Sequence, residues 1–174
     1  MISIKTIKRL FLDKVPLDVK NILDIGCGKG YMSRRFARSE SLVTGIDIKS
    51  QEIVQENFNF EKIDVREFVF GKYDLIISSL MLHFFSENTS KEIIEKMKIS
   101  TNKEGYNLLV LMSEKDNMNN FGKFYPSLEE VKKVYSGWDL IDYLQDDTEQ
   151  EINSLGQKHF HNVIFCLFKK PNEN

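Results

Sequence analysis

The stretch Asn21-Ile22-Leu23-Asp24-Ile25-Gly26-Cys27-Gly28-Lys29-Gly30-Tyr31 decides how the chain reads. An apolar strand runs into a glycine-rich turn, and a helical pattern follows it. Glycine lets the backbone bend sharply and lets a ligand lie against it with no Cβ in the way. The spacing is G-x-G-x-G, and Tyr31 stands where the dinucleotide fingerprint G-x-G-x-x-G needs its third glycine. Asp24 ends the strand, where a carboxylate repels a pyrophosphate but suits an ammonium or sulfonium group, directly or through water. NAD and ATP are disfavoured on both counts.

On either side of this stretch, short apolar runs alternate with longer amphipathic ones. Residues 4–14 put Ile4, Ile7, Leu10 and Phe11 on one helical face. After the first strand at 21–25, the pattern predicts a helix over 31–38, a strand over 42–46 and a helix over 50–56. Strands follow at 60–63 and 73–78, then a helix over 87–100 with Ile93, Ile94 and Met97 facing inward, then a strand at 106–112. Buried strands alternating with helices predict a parallel sheet covered on both faces. The tail differs: a helix over 128–135 and strands at 138–143 and 160–168 with no long helix between them predict an antiparallel pair. The expected fold is α/β, a Rossmann-like doubly wound sheet, mostly parallel with an antiparallel C-terminal edge strand. Trp138 is expected to pack the hinge before the last strand pair.

Bulk properties narrow the function. The 174 residues suit one domain over 1–174. Hydrophobic residues make up 41% and charged ones 29%, as in globular domains. A net charge of −2 gives no broad nucleic-acid footprint. No apolar run approaches the roughly 20 residues of a membrane span, and the N-terminus lacks the uninterrupted apolar segment of a secretory signal. Cys27 and Cys166 belong to no CxxC or Cys/His cluster, so neither a disulfide framework nor a metal site is expected, and the cytoplasm is the expected compartment. The oligomeric state is left open.

Further carboxylates follow the strands. Asp47, with Ile48 after it, ends the second strand about as far from Gly26 as an acidic residue that meets ribose hydroxyls in such folds. A carboxylate accepts from both hydroxyls; a helix N-cap is the other reading. Asp64 ends the third strand, where its carboxylate suits an adenine amino group and the Val65 amide a ring nitrogen, unless Asp64 only turns the chain. His83 follows the fourth strand, at the edge where such sheets bind ligands, and is either a proton acceptor or a structural histidine. Tyr31, Phe84 and Phe85 offer aromatic faces to a cation or simply pack. His159 and His161 alternate with Phe160, so both point to one face.

Asp24-x-Gly26-x-Gly28-x-Gly30, Asp47, Asp64 and Tyr73-Asp74-Leu75-Ile76-Ile77-Ser78 together resemble the class I S-adenosylmethionine-dependent methyltransferases over residues 20–112. The resemblance implies S-adenosylmethionine as cofactor, with Ser79 facing its methionine part and Cys27 and Tyr31 lining the loop. Met81-Leu82-His83-Phe84-Phe85, Gly105-Tyr106-Asn107-Leu108-Leu109-Val110, Phe124-x-x-x-x-Glu129, Tyr135-x-Gly137-Trp138 and Tyr143 resemble the tellurite-resistance methyltransferases, which methylate selenium or tellurium oxyanions.

One stretch departs from that family. Where its members carry a His-Arg pair and further arginines, this chain has Asp146-Asp147-Thr148-Glu149-Gln150-Glu151-Ile152, with Glu151 and Ile152 in place of the pair. Carboxylates repel an anion unless they point away; Lys158, His159 and His161 are the nearby cations. The expected activity is methyl transfer to a small acceptor, an oxyanion or a thiol, with no nucleic-acid or membrane partner. A non-catalytic S-adenosylmethionine-binding module is the alternative, and a nucleotide-dependent dehydrogenase a distant third.

Overall fold

The computed structural model describes residues 4–117, 123–152 and 158–172. A helix α1 (Ile4–Leu12) precedes strands β1 (Asn21–Ile25), β2 (Leu42–Asp47), β3 (Phe58–Lys62) and β4 (Tyr73–Ser79). Helix α2 (Glu87–Ser100), strand β5 (Thr101–Met112), helix α3 (Leu128–Val134) and strand β6 (Asp139–Asp147) follow. A short ribbon of β7 (Glu151–Ile152) and β8 (Lys158–His159) leads into β9 (Asn162–Lys169). Seven strands form one sheet in the order β3-β2-β1-β4-β5-β9-β6. The first five are mutually parallel, and β9 runs antiparallel between β5 and β6. The Rossmann-like expectation holds. The C-terminal strand, however, sits one place in from the edge, which β6 occupies.

The strand order reverses at the β1–β4 pair: from β1 it runs to β2 and β3 on one side, to β4 and β5 on the other. Crevices open at such switch points, outside the carboxyl ends of the strands. Ile25 lies opposite both Ile46 and Ser78, so β1, β2 and β4 finish level at that edge. At the opposite edge the Asp74 carboxylate accepts from the Lys20 and Asn21 amides and from Asn102 Nδ2, locking β1, β4 and β5 in register.

Each face of the sheet has its own core. Ile7, Phe11, Val15 and Phe36 cover one face, with Phe11 against Phe165 at 5.4 Å. Ile93, Ile94 and Met97 of α2 and Val131 of α3 cover the other. The continuous apolar runs 108–111 and 163–168 are buried on both faces, as central strands require. Tyr135 stacks on Phe168 at 4.1 Å, accepts a hydrogen bond from Asn107 Nδ2, and meets Trp138 edge-on at 5.3 Å. The predicted packing role of Trp138 is thus met. Among the described residues no helix is long and apolar enough to cross a membrane.

Two predicted helices are absent. Over 31–38 only a single 3-10 turn forms, Arg34–Phe36. Its tight i→i+3 bonds, Phe36 to Ser33 and Ala37 to Arg34, take the place of α-helical ones, and the Ser33 hydroxyl turns inward to Asp24. Over 50–56 the backbone is irregular. Only Ile53 packs on the core, while Val54 is 95% exposed, so no apolar stripe holds a helix there. In α1, Ile7 and Phe11 are buried but Leu10 is half exposed; Ile4's side chain lies outside the described residues.

Candidate functional site

The loop after β1 is stitched to the end of β2. The amides of Gly26 and Cys27 both donate to the Ile46 carbonyl, at 2.8 and 3.0 Å. The Gly28 amide donates to Asp47 Oδ2 at 2.9 Å. Gly26 and Gly28 hold φ of +67° and +50°, left-handed values that glycine adopts without strain. Their surroundings differ. A Cβ at Gly26 would meet Met81 Cγ at 2.6 Å, whereas one at Gly28 would meet nothing within 4 Å. At Gly28 the bare backbone therefore faces open space.

That space is a crevice of about 430 Å³ between the loop, the end of β2 and the segment after β4. Of the residues predicted from sequence, Gly26, Gly28, Asp47, Ile48 and Val65 line it. Met81, Phe84 and Phe85, from the segment after β4, line it as well, and Ile46 and Ile63 add apolar surface. Lys49 is the one cation in this lining. Such a site suits a ligand with a flat apolar part and adjacent hydroxyls. A second cavity, of about 290 Å³, lies between α2 and α3 and meets no part of the glycine loop.

Asp47 accepts from the Gly28 amide on one oxygen and from the Lys49 amide on the other, so its orientation is set by backbone. Each carboxylate oxygen keeps capacity for a further bond.

The remaining predicted residues stand off the crevice lining. Asp24 is 1% exposed and accepts the Ser33 hydroxyl at 2.6 Å, which places it beneath the loop as a brace. Cys27 is buried; desolvation first, then the Asp24 and Asp47 carboxylates, push its thiol up to about 12. Gly30 packs on Phe58, whose ring a Cβ would approach to 3.0 Å. Tyr31 is 77% exposed and points away from any core. Asp64 is gripped by the Arg66 guanidinium at 2.6 and 3.0 Å, which holds its carboxyl below the usual range. Ser79 ends β4 without reaching the lining.

His83 lies in a 3-10 turn, Leu82–Phe84, just after β4. Its ring is 4.1 Å from that of Phe84 and 6.2 Å from Tyr125. Nδ1 is buried with no hydrogen-bond partner. Burial, then the nearby His161, disfavour its imidazolium, with Asp116 partly opposing. Within the acidic stretch, Asp147 accepts from Asn162 Nδ2, and Asp146 from the Asp147 amide. The side chains of Glu151 and Ile152 lie outside the described residues.

Sequence reasoning missed Lys49, Ile63, Leu80 and Met81. Their shared sequence signal is position, each just past a strand's carboxyl end, and Met81 also opens the Met81–Phe85 motif.

Comparison with known proteins shows what the chain is similar to. A family model described as tellurite resistance protein TehB matches residues 13–153. A probable S-adenosyl-L-methionine-dependent methyltransferase TehB of Haemophilus influenzae is 27% identical over 134 residues, 70% of this chain and 47% of that protein. The chain thus spans about half the length of that relative. The crystal structure of TehB from Haemophilus influenzae superposes with a TM-score of 0.71 at 23% identity, covering 86% of this chain and 57% of that one. The N-methyltransferase NodS of Bradyrhizobium japonicum, in complex with S-adenosyl-L-homocysteine, gives 0.71 at 18% identity, with 97% and 86% covered.

Proposed function

The chain belongs to the tellurite resistance protein TehB family, and from that premise we propose that it transfers a methyl group from S-adenosylmethionine to a small acceptor. One observation carries the reading: at Gly28 a bare, left-handed backbone faces an apolar-walled crevice, with Asp47 fixed beside it at 2.9 Å. The donor's shape and chemistry fit. Its ribose hydroxyls match the Asp47 carboxylate, and its adenine matches the slot between Ile48, Ile63 and Val65. Its cationic end suits the loop braced over buried Asp24.

When bound, S-adenosylmethionine supplies a methyl group on a positively charged sulfur, so the protein need not generate an electrophile. The chain's residues align and exclude water. Asp47 orients the sugar, Gly28 lets the backbone approach, and Met81, Phe84 and Phe85 add apolar lining. Phe84 and Phe85 also present aromatic faces that attract a cation. His83, packed on Phe84, flanks the approach of the acceptor. That acceptor is a small molecule, a thiol or an oxyanion of selenium or tellurium.

Calorimetric titration tests the donor reading. S-adenosylmethionine and S-adenosylhomocysteine should bind and NAD should not; absence of binding by either sulfur ligand refutes it. Release of S-adenosylhomocysteine over a panel of selenite, tellurite, small thiols and phenols then separates an enzyme from a mere binding module.

A further inference from the structure

The chain has three histidines, and the fold gathers all of them at the carboxyl edge of the sheet. His83 follows β4 and His159 lies in β8. His161 directly precedes β9, whose antiparallel course sets its start beside the end of β5, with Val163 opposite Met112. The rings of His159 and His161 are 5.0 Å apart, and that of His83 packs at 4.1 Å on Phe84 of the crevice lining.

Among the described residues, His161 is the histidine paired with a carboxylate. Asp116, on the turn after β5, has a fully enclosed side chain, and its Oδ2 lies 3.0 Å from His161 Nδ1. The same oxygen accepts the Asn162 amide at 3.0 Å. The backbone of His161 is pinned as well: its amide donates to Thr148 Oγ1 and its carbonyl accepts from the Thr148 amide. The ring keeps 22% of its surface open. A carboxylate only accepts, so the proton of the neutral imidazole sits on Nδ1 and Nε2 keeps its lone pair. This is the carboxylate–imidazole arrangement that turns a histidine into a directed base. At His83 and His159, by contrast, Nδ1 is buried without a hydrogen-bond partner among the described residues.

We propose that His161 is the general base of this site, with Asp116 as its positioning residue, and that the acceptor is a protic nucleophile, a thiol or hydroxyl. The assignment rests on the methyltransferase reading above. In the step, the acceptor's sulfur or oxygen forms the bond to the methyl carbon, and the methyl–sulfur bond breaks with its electron pair going to sulfur. The acceptor's proton passes to His161 Nε2. An oxyanion already stripped of its proton needs no such base, so the pair argues for the protic acceptor.

The first test is a nitrogen-15 spectrum of the histidine-labelled 174-residue chain without ligand, where its three imidazoles must be resolved. Neutral His161 should be protonated at Nδ1, and Asp116→Asn should abolish that preference, because an amide can donate to Nδ1 and favour the wrong tautomer. The second is turnover of the thiol and phenol panel. His161→Gln should lower kcat by about 10²- to 10⁴-fold, the range for a lost general base, while calorimetric donor affinity stays within twofold. Asp116→Asn should lower kcat with KM for the donor unchanged, and His83→Gln should lower it less than about tenfold, as befits a group without a proton to move. An Nε2–H tautomer at His161, or full thiol turnover by His161→Gln with donor bound, overturns the assignment alone. So does turnover confined to selenite or tellurite. Wild-type protein that binds no donor overturns the methyltransferase reading and the assignment with it.

Discussion

Asp24 and Asp47 end adjacent strands and share a side chain, yet they do different work. Asp24 is buried under the loop on Ser33; Asp47 lines the crevice and accepts from two backbone amides. Removing the Asp47 carboxylate leaves the Gly28 amide and the ligand hydroxyls without an acceptor. Asp47→Ala should therefore weaken S-adenosylmethionine binding by about 1–3 kcal/mol, read by calorimetry; unchanged affinity would mean that the ribose lies elsewhere. The glycines divide in the same manner. Gly26→Ala drives a Cβ to 2.6 Å from Met81 Cγ at a left-handed φ, so the urea midpoint should drop by the equivalent of about 1–3 kcal/mol. Gly28→Ala meets open space, so its larger effect should fall on donor affinity, with stability reduced by only about 1 kcal/mol for the φ. Equal stability losses in the two variants would contradict the different surroundings of these residues.

At the scale of elements, legibility followed the apolar stripe. Helix α2 was readable because Ile93, Ile94 and Met97 recur at helical spacing, and all three are buried. The Ser86 hydroxyl caps its start, accepting from the Thr89 amide. Helix α3 is only seven residues long, and it leans on a reciprocal capping box between Ser127 and Glu130. Ser127→Ala should lower stability by about 0.5–2 kcal/mol, a fall of several degrees in Tm by thermal unfolding; a change within error would mean that packing of Val131 and Tyr135 alone holds the helix. The segments 31–38 and 50–56 misled because propensity alone does not sustain short helices. In each the decisive partner is remote: Asp24 draws in Ser33, and Gln55 Nε2 donates to the Arg34 carbonyl at 2.8 Å.

At the scale of the whole molecule, burial sequesters groups that titrate only at high pH. Burial first, assisted by carboxylates at Cys27, pushes both Cys27 and Cys166 from 9.0 up to about 12, and burial drives the Tyr135 phenol upward too. A folded-state value raised above the unfolded one leaves stability intact below about pH 9 and removes it as pH climbs toward 12. The urea midpoint should be flat near neutrality and fall steadily through that window; a midpoint rising above pH 9 would refute the buried, neutral thiols. Both cysteines should likewise resist iodoacetamide near pH 8 until the protein is unfolded.

What the amino-acid order determined by itself was local: the apolar strands, the G-x-G-x-G bend after β1 and the long amphipathic helix. These depend on backbone sterics and on side chains a few positions apart, and both are visible in a linear pattern. Only the tertiary structure decided which carboxylate faces the crevice, that β9 slots inside β6, and that Asp116 meets His161. Those outcomes depend on which distant segments the sheet brings side by side, and pairing across the sheet leaves no periodic mark on the chain.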